Sequence, residues 1–307
     1  MIPGGPNGIP PPQRERGKDK NCCSHTGISR DPFETHHPLQ VVEMAHMKRP
    51  RYILIFIALL AFAAAAALFA LKFGEKPGVR PLIVYAAPAV RMPLERIAKD
   101  YEAATGRAVE LRFGPSETIL TQAAMVNPSA PVDLFFPADS SYVEAAKERG
   151  MIGESFPVAS MSIVVLIASG NPKGIANWND LLNDGVKVAV PNSGAAAGKV
   201  ARNHLAATGK WDALAPRAIE TFTVTEAANA AKLGSVDAAI VWDAVALGYA
   251  GQTILKLPEF EGVSARVEVA TLKQSSDPAE AKKLAEFIAG EPGMQRFREA
   301  GYPGVAK

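Results

Sequence analysis

The chain has 307 residues, of which 21% are charged, and its formal net charge of +2 is unevenly distributed. The first 80 residues hold 11 of the 33 Lys and Arg and 6 of the 31 Asp and Glu, which leaves 22 basic and 25 acidic residues from Pro81 onward. A globular part without a basic excess cannot neutralise a phosphate backbone, so the composition argues against a nucleic-acid-binding domain.

Residues 1–46 are rich in Gly, Pro and polar side chains and show no sustained apolar period. We expect them to be a disordered tail, or a translated upstream region preceding a true start at Met47. Both cysteines, Cys22 and Cys23, lie in this stretch. Because no second cysteine pair accompanies them, a solvated tail is favoured over a metal or acylation site.

Residues 47–77 are predicted to form a signal peptide or a membrane anchor. A basic block at 48–51 precedes the run 52–71, which contains no charged residue. At about 1.5 Å per residue, this run reaches roughly 30 Å, the thickness of a bilayer core. Its length favours an uncleaved anchor, although the small residues within it also suit signal-peptide cleavage. In both cases the basic block directs the rest of the chain to the periplasm or another extracytoplasmic space.

From Pro81 onward, apolar strands alternate with amphipathic helices. Strands are predicted at 82–86, 109–113, 132–136, 161–168, 186–190, 236–242 and 263–270. Helices are predicted at 94–104, 117–125, 142–149, 179–182, 199–207, 226–233, 278–290 and 293–300. This alternation predicts an α/β fold with a mostly parallel sheet covered by helices on both faces.

Two sets of βαβ units predict that the domain at 78–307 has two lobes with a cleft between them. Lobe 1 is expected to comprise about 81–160 plus 264–307, and lobe 2 about 161–263. The domain is long enough for each lobe to bury a substantial core.

Four short loops of mostly small residues connect predicted strands to helices, at 87–90, 114–118, 195–198 and 223–226. The first N–H groups of a helix have no partner within the helix, and the helix dipole favours negative charge at that end. Ligands of α/β sheets bind at the carboxyl ends of the strands, where these loops lie. If the fold brings the loops together, they form a site for a small anion without a Lys or Arg.

Several residues in these loops also have purely structural interpretations. Ser116 is a favoured residue type at a helix N-cap. The spacing of Thr223 and Glu226 is typical of a capping box. Trp242 is also consistent with a core aromatic residue at the end of a strand, and Pro88 and Ala89 with a simple helix start.

The sequence gives no support for an enzyme. The domain has no Cys and none of the HExxH, GxSxG or Walker motifs. Its single histidine, His204, lies in the middle of a predicted helix and is expected to be a surface or packing residue. Asp139, Asp237 and Asp243 follow or begin strands, where Asp usually holds loops through hydrogen bonds to backbone N–H groups.

Five blocks resemble the periplasmic molybdate-binding proteins of ABC importers, in order over nearly all of 81–307. They are Val-Tyr-Ala-Ala at 84–87, Phe-Gly-Pro-Ser at 113–116, Val-Asp-Leu-Phe-Phe-Pro-Ala-Asp at 132–139, Ala-Ala-Gly-Lys at 196–199 and Gly-Ser-Val-Asp-Ala-Ala-Ile-Val-Trp at 234–242. In addition, Asn-Pro-Lys-Gly-Ile at 171–175 followed by Trp178 is similar to sulfate-binding relatives.

The resemblance implies a two-lobed type II periplasmic-binding-protein fold that closes on molybdate or tungstate and delivers it to an ABC permease. The oxyanion is held by neutral donors, so no side chain ligates the metal directly and no cofactor is needed. The protein is also expected to be a monomer. By position, the ligand contacts would be Ala89, Ser116, Ala138, Ala197, Val224 and Trp242.

Two of these positions depart from the family pattern. Ala89 stands where the family usually has Ser, so only the backbone N–H remains as a donor. Trp242 stands where it usually has Tyr, and the indole N–H can donate to an unprotonated anion. These departures leave the size and identity of the ligand open, and sulfate or another small solute is an alternative. A separate alternative is a membrane-tethered sensor domain of the same fold. A sensor would require a structured cytoplasmic module in 1–46.

Overall fold

The computed structural model describes residues 55–65, 80–125 and 131–304. The chain divides into two compact units, Met1–Gly74 and Glu75–Lys307. In the first unit, residues 55–65 form a helix, α1. The predicted tail at 1–46 and the remainder of the apolar run lie outside the described residues. Within the described residues, no helix has both the length and the hydropathy required to cross a bilayer.

The strands of the second unit form one sheet. In chain order they are β1 (Leu82–Ala86), β2 (Val109–Phe113), β3 (Leu134–Phe136), β4 (Ile152–Ile167), β5 (Val188–Pro191), β6 (Ala218–Thr221), β7 (Ala238–Trp242), β8 (Thr253–Leu255) and β9 (Ser264–Leu272).

The helices pack around this sheet. They are α2 (Arg91–Thr105), α3 (Ser116–Ala124), α4 (Ser140–Glu148), α5 (Trp178–Leu181), α6 (Ala196–Ala207), α7 (Trp211–Leu214), α8 (Val224–Lys232), α9 (Asp243–Leu247), α10 (Pro278–Ala289) and α11 (Glu291–Glu299). A 3₁₀ turn at Pro88–Val90 leads directly into α2. The helix α2 is followed by Gly106, which has φ = 72° and forms a left-handed C-cap.

The strand order is β2-β1-β3-β9-β4-β7-β5-β6, with β8 pairing with β4 beside this path. The end groups β2-β1-β3 and β7-β5-β6 are parallel. The central strands β9 and β4 are antiparallel to their neighbours. The prediction of a mostly parallel sheet is therefore confirmed for the two end groups and wrong for the centre, because only the end groups are connected by crossover helices.

The strand β4 links the two end groups. Its residues up to Ser162 pair with β9, where Ser162 lies opposite Ser264. From Ile163 onward it pairs with β7, where Ile163 lies opposite Trp242. The sheet thus serves two lobes, one built on β1–β3 and β9 and the other on β5–β8. Fully apolar strands such as β3 are buried on both faces, as parallel strands between helix layers require.

Several element bounds differ from the sequence prediction. The strand β4 begins at Ile152, well before the predicted 161, because exposed Gly153, Glu154 and Pro157 interrupt the apolar pattern of its first half. The edge strand β6 was not predicted, since it has only four residues and its burial is partial. The short elements α7, β8 and α9 also lack a sustained period from which they could have been recognised.

The start of α6 is packed tightly against the end of β5. The side-chain oxygen of Asn192 accepts hydrogen bonds from the N–H groups of Gly194 (3.0 Å) and Ala195 (3.2 Å), which orders the turn before the helix. A Cβ atom added to Gly198 would lie 2.1 Å from the carbonyl oxygen of Pro191. Only glycine permits this approach, so Gly198 determines where the first turn of α6 lies.

We therefore expect Gly198→Ala to lower the free energy of unfolding by about 1–3 kcal/mol, because the new methyl group would force backbone atoms apart. Urea unfolding measures the change. Gly304→Ala is the matched control, because a Cβ there meets no atom of the described residues within 4 Å. Equal effects of the two substitutions would contradict the packing argument.

Candidate functional site

A small cavity lies between the two lobes, and its walls consist of uncharged residues. It is lined by Ala87, Pro88, Ala89, Pro115, Ser116, Ala138, Ala195, Ala196, Ala197, Thr223, Val224 and Trp242. All four predicted loops contribute to it, and all six predicted contact residues are among these residues. The structure thus brings the predicted residues together, while their contact with a ligand stays a prediction.

The cavity is compact. Its volume is about 10 Å³. A space of this size holds about one water molecule. In this conformation the cavity is therefore too small for any solute larger than a water molecule, and it must widen to take a ligand.

Three helices begin at the cavity, and their first N–H groups lack backbone partners. Ser116, Ala196 and Val224 are the first residues of α3, α6 and α8. Among the described residues, the N–H groups of Ala89, Ser116, Ala197 and Val224 make no backbone hydrogen bond outside their helices. An N–H group within the first turn has no acceptor inside its own helix, so these groups remain available to a ligand.

The cap of α8 leaves its first two N–H groups available. The hydroxyl oxygen of Thr223 accepts a hydrogen bond from the N–H of Glu226 (3.1 Å), which confirms the predicted cap. The Glu226 carboxylate accepts from the N–H of Phe222 (2.8 Å), one residue earlier than in a standard capping box. The N–H groups of Val224 and Thr225 are used by neither bond.

Ser116 and Ala138 contact each other at the cavity wall. The N-cap of α3 is Pro115, so Ser116 does not have the capping role that its residue type allowed. Instead, its Oγ accepts a hydrogen bond from the N–H of Ala138 (3.2 Å). The Ala138 N–H is therefore occupied, whereas the Ser116 hydroxyl hydrogen can still be donated.

Trp242 presents a buried donor that has no acceptor. It is the last residue of β7, and its side chain is 0% exposed. Its Nε1 atom has no hydrogen-bond partner among the described residues. A buried indole N–H normally finds a partner, and one left unpaired costs about 1–3 kcal/mol. Because Trp242 also lines the cavity, this N–H is well placed for a ligand that accepts a hydrogen bond.

The three aspartates that follow or begin strands bind backbone N–H groups. Asp139 accepts from the N–H of Ser141 (2.6 Å), and Asp237 accepts from that of Lys187 (2.8 Å). Asp243 accepts from the N–H groups of Ala244 (2.7 Å) and Ser162 (3.1 Å). Burial raises the pKa of the Asp243 carboxyl, and these N–H bonds oppose the shift. None of the three lines the cavity.

Contacts between the lobes close the cavity on one side. The N–H of Glu117 donates to the carbonyl oxygen of Gly194 (3.1 Å), and the Tyr142 hydroxyl donates to the same oxygen at 3.4 Å. Lys199 donates to the Ser141 hydroxyl (3.0 Å), and its Nζ lies 4.4 Å from the centre of the Tyr142 ring. These contacts involve no cavity-lining residue, and they identify this conformation as a closed one.

A larger open groove of about 510 Å³ adjoins the cavity and shares Pro115 with it. The carboxylates of Glu117 and Glu220 line this groove, together with the half-exposed ring of Phe222. Two carboxylates would oppose an anion, so the enclosed cavity is the better anion site.

Within the described residues, no group of three or more His, Cys, Asp or Glu side chains is arranged to hold a metal ion. His204 has a packing role, because its Nε2 lies 2.8 Å from the carbonyl oxygen of Glu259 and its ring packs beside Phe260.

Comparison with known proteins finds relatives over the whole second unit. The molybdate-binding protein ModA of Mycobacterium tuberculosis is 28% identical over 232 residues, covering 75% of this chain and 87% of that protein. The sulfate-binding protein of Escherichia coli is 44% identical over 77 residues, or 22% of each chain.

Solved structures share the fold. The periplasmic molybdate-binding protein of Azotobacter vinelandii superposes with a TM-score of 0.63 at 23% identity, covering 72% of this chain and 98% of that one. Residues 82–303 match the model of the family described as bacterial extracellular solute-binding protein. This match spans most of the chain and almost all of the two-lobed unit, and the chain therefore belongs to that family of solute-binding proteins.

Proposed function

We propose that this protein is the solute-binding component of an ABC importer and that its cavity binds a tetrahedral oxyanion, molybdate or tungstate first. It would act outside the cytoplasm as a monomer, held to the membrane by residues 52–71 or released after their cleavage. It would pass the anion to an ABC permease. The family match and the likeness to ModA support this function.

The observation that carries the proposal is the unpaired indole N–H of Trp242 in a cavity otherwise lined by helix starts. A neutral solute without acceptors would leave these donors unsatisfied. A cation would face the positive ends of three helix dipoles. An anion whose oxygens all accept hydrogen bonds satisfies both the dipoles and the donors.

The number of donors is sufficient for useful affinity. The backbone N–H groups of Ala89, Ser116, Ala197 and Val224 add to the Ser116 hydroxyl and the Trp242 indole. Each charge-assisted hydrogen bond contributes on the order of 1.5–3 kcal/mol. Dehydration of the anion and ordering of the closed cleft offset most of this gain. A net of about −8 kcal/mol, corresponding to about micromolar affinity, remains plausible for an import receptor.

Binding would be coupled to movement of the lobes. The donors of Ala89 and Ser116 belong to one lobe, and those of Ala197, Val224 and Trp242 to the other. A four-oxygen anion exceeds the space of one water molecule, so it requires the lobes to separate before it enters and a slightly wider cavity once it is bound. Closure then brings the two donor sets onto the same anion.

Sulfate is the second candidate ligand. The stretch 44% identical to a sulfate-binding protein favours it, and so does the small cavity. Sulfate and molybdate are both tetrahedral dianions, so the same donors would serve either. The choice between them depends on cavity size, which the bulk of the Trp242 side chain reduces.

We expect the full chain in detergent micelles to bind molybdate and tungstate with about micromolar affinity or better. Isothermal titration calorimetry with molybdate, tungstate, sulfate and phosphate tests this directly, and micelles without protein are the blank. Absence of binding to all four anions would reject the proposal. Saturation by sulfate alone would assign the protein to the second candidate.

We further expect Trp242→Phe to weaken molybdate binding by about 1–3 kcal/mol, because the substitution removes a donor and keeps an aromatic ring. Calorimetry of the variant measures the loss. Trp211→Phe is the matched control, since Trp211 lies outside the cavity with its ring 4.4 Å from the Arg202 guanidinium. An affinity unchanged by Trp242→Phe would remove this indole from the ligand contacts.

A further inference from the structure

Tyr302, near the end of the described residues, contacts the cavity wall on the side that faces away from the cavity. Tyr302 is 5% exposed, and its ring packs edge-on against Phe297, with 5.1 Å between the ring centres. Its hydroxyl donates a hydrogen bond to the carbonyl oxygen of Ala89, 213 residues earlier in the chain. Among the described residues, this is the one side-chain hydrogen bond made to the turn at 87–90. Tyr302 itself does not line the cavity.

The segment that carries Tyr302 is fixed by both lobes. The N–H of Ser160 on β4 donates to the carbonyl oxygen of Pro303 (3.2 Å), and the N–H of Tyr302 donates to that of Phe297 (3.0 Å). Gly301 adopts φ = 82°, and a Cβ there would lie 2.4 Å from a methyl carbon of Leu247 on α9. Tyr302 is therefore held between α11, the linking strand β4 and the helix that follows Trp242.

The turn that receives this hydrogen bond is short. It is a 3₁₀ turn of three residues, Pro88–Val90, and Pro88 contributes no N–H. Because residue 89 is an alanine, it offers a ligand only its backbone N–H. The Ala89 N–H lies in the same peptide plane as the Pro88 carbonyl, which accepts from the N–H of Arg91. The Tyr302 hydroxyl binds the carbonyl of the next plane, whose N–H, that of Val90, donates to the carbonyl of Ala87 (3.1 Å). These three hydrogen bonds fix both planes that meet at the Ala89 Cα and so set the direction of the Ala89 N–H.

We infer that Tyr302 is a positioning residue of the anion site: its hydroxyl holds the Ala89 turn so that the Ala89 N–H points at the bound oxyanion. This inference rests on the proposed function. A donor fixed in place before the ligand arrives loses less conformational entropy on binding. Burial, and then the nearby Asp243 carboxylate, raise the pKa of the Tyr302 hydroxyl, so the proton that it donates is retained.

The test compares two tyrosines that each donate one buried hydrogen bond. Tyr302→Phe removes the hydroxyl at the site and keeps the ring. Tyr101→Phe is the matched control, because Tyr101 is 2% exposed and donates to Glu280 (2.7 Å), away from the cavity. Molybdate affinity of the full chain in detergent is measured by calorimetry for the unsubstituted protein and both variants, well below each unfolding midpoint.

We expect Tyr302→Phe to weaken molybdate binding by about threefold to tenfold, the value of one hydrogen bond. Tyr101→Phe should leave the affinity unchanged, although both variants lose stability.

In ¹⁵N-labelled protein, molybdate should shift the Ala89 amide signal less in Tyr302→Phe than in the unsubstituted chain. The Val224 amide signal should shift equally in both, because its cap does not involve Tyr302. A merely stabilising role for the hydroxyl would not single out Ala89.

The outcomes separate the two proposals. If the unsubstituted protein binds molybdate and Tyr302→Phe binds it equally well, the positioning role is overturned and the proposed function stands. An equal loss of affinity in both tyrosine variants overturns the positioning role as well. If the unsubstituted protein binds none of the four oxyanions, the proposed function fails, and the positioning role fails with it.

Discussion

The site depends on one constraint: a backbone N–H removed from water must find an acceptor or cost free energy. In a parallel sheet, each strand is followed by a loop and a helix start, so the carboxyl ends of neighbouring strands collect unpaired N–H groups at one edge. Here α3, α6 and α8 begin at the same cavity, and Trp242 adds an indole N–H that has no partner among the described residues. An oxyanion relieves this deficit, and its binding should therefore stabilise the folded protein.

Because the residues around the cavity are small, backbone N–H groups can reach an anion that binds there. Ala89 and Ala197 leave their N–H groups accessible, and Gly198 lets the first turn of α6 lie against the end of β5. Backbone N–H donors need hydrogen bonds outside the cavity to keep their turns in place, because no side chain can reorient to compensate for a displaced turn. Asn192 orders the turn before α6, the Thr223 cap fixes the start of α8, and Tyr302 holds the turn at Ala89.

The lobes contribute different donors, so affinity depends on the balance between open and closed forms. The contacts of Gly194 with Glu117 and Tyr142 favour closure without touching the cavity. The partner exchange of β4 at Ser162 and Ile163 marks where the lobes are joined. The Asp243 carboxylate accepts from the N–H of Ser162 at this junction and directly follows Trp242. The joining strand and the site are thus neighbours in the structure.

The sequence predicted the four loops because strand–loop–helix order and small residues are local features, whereas their meeting at one cavity was only a condition of the hypothesis. It did not predict the antiparallel centre, since the polar first half of β4 hides a strand that pairs with a distant β9. It also could not identify Tyr302 or the contacts of Tyr142. Their partners lie far away in the chain, and no local spacing connects Tyr302 with Ala89. The hydrogen bond between Ser116 and Ala138 is likewise visible only in three dimensions.

The central claim is that uncharged donors hold a dianion in this cavity. Anomalous scattering at the molybdenum absorption edge, from crystals grown with molybdate, tests it most directly. The account predicts one strong peak between Ala89, Ser116, Ala197, Val224 and Trp242, with no Lys or Arg side chain touching the anion. A peak beside a Lys or Arg elsewhere on the protein, with the cavity empty, would contradict it.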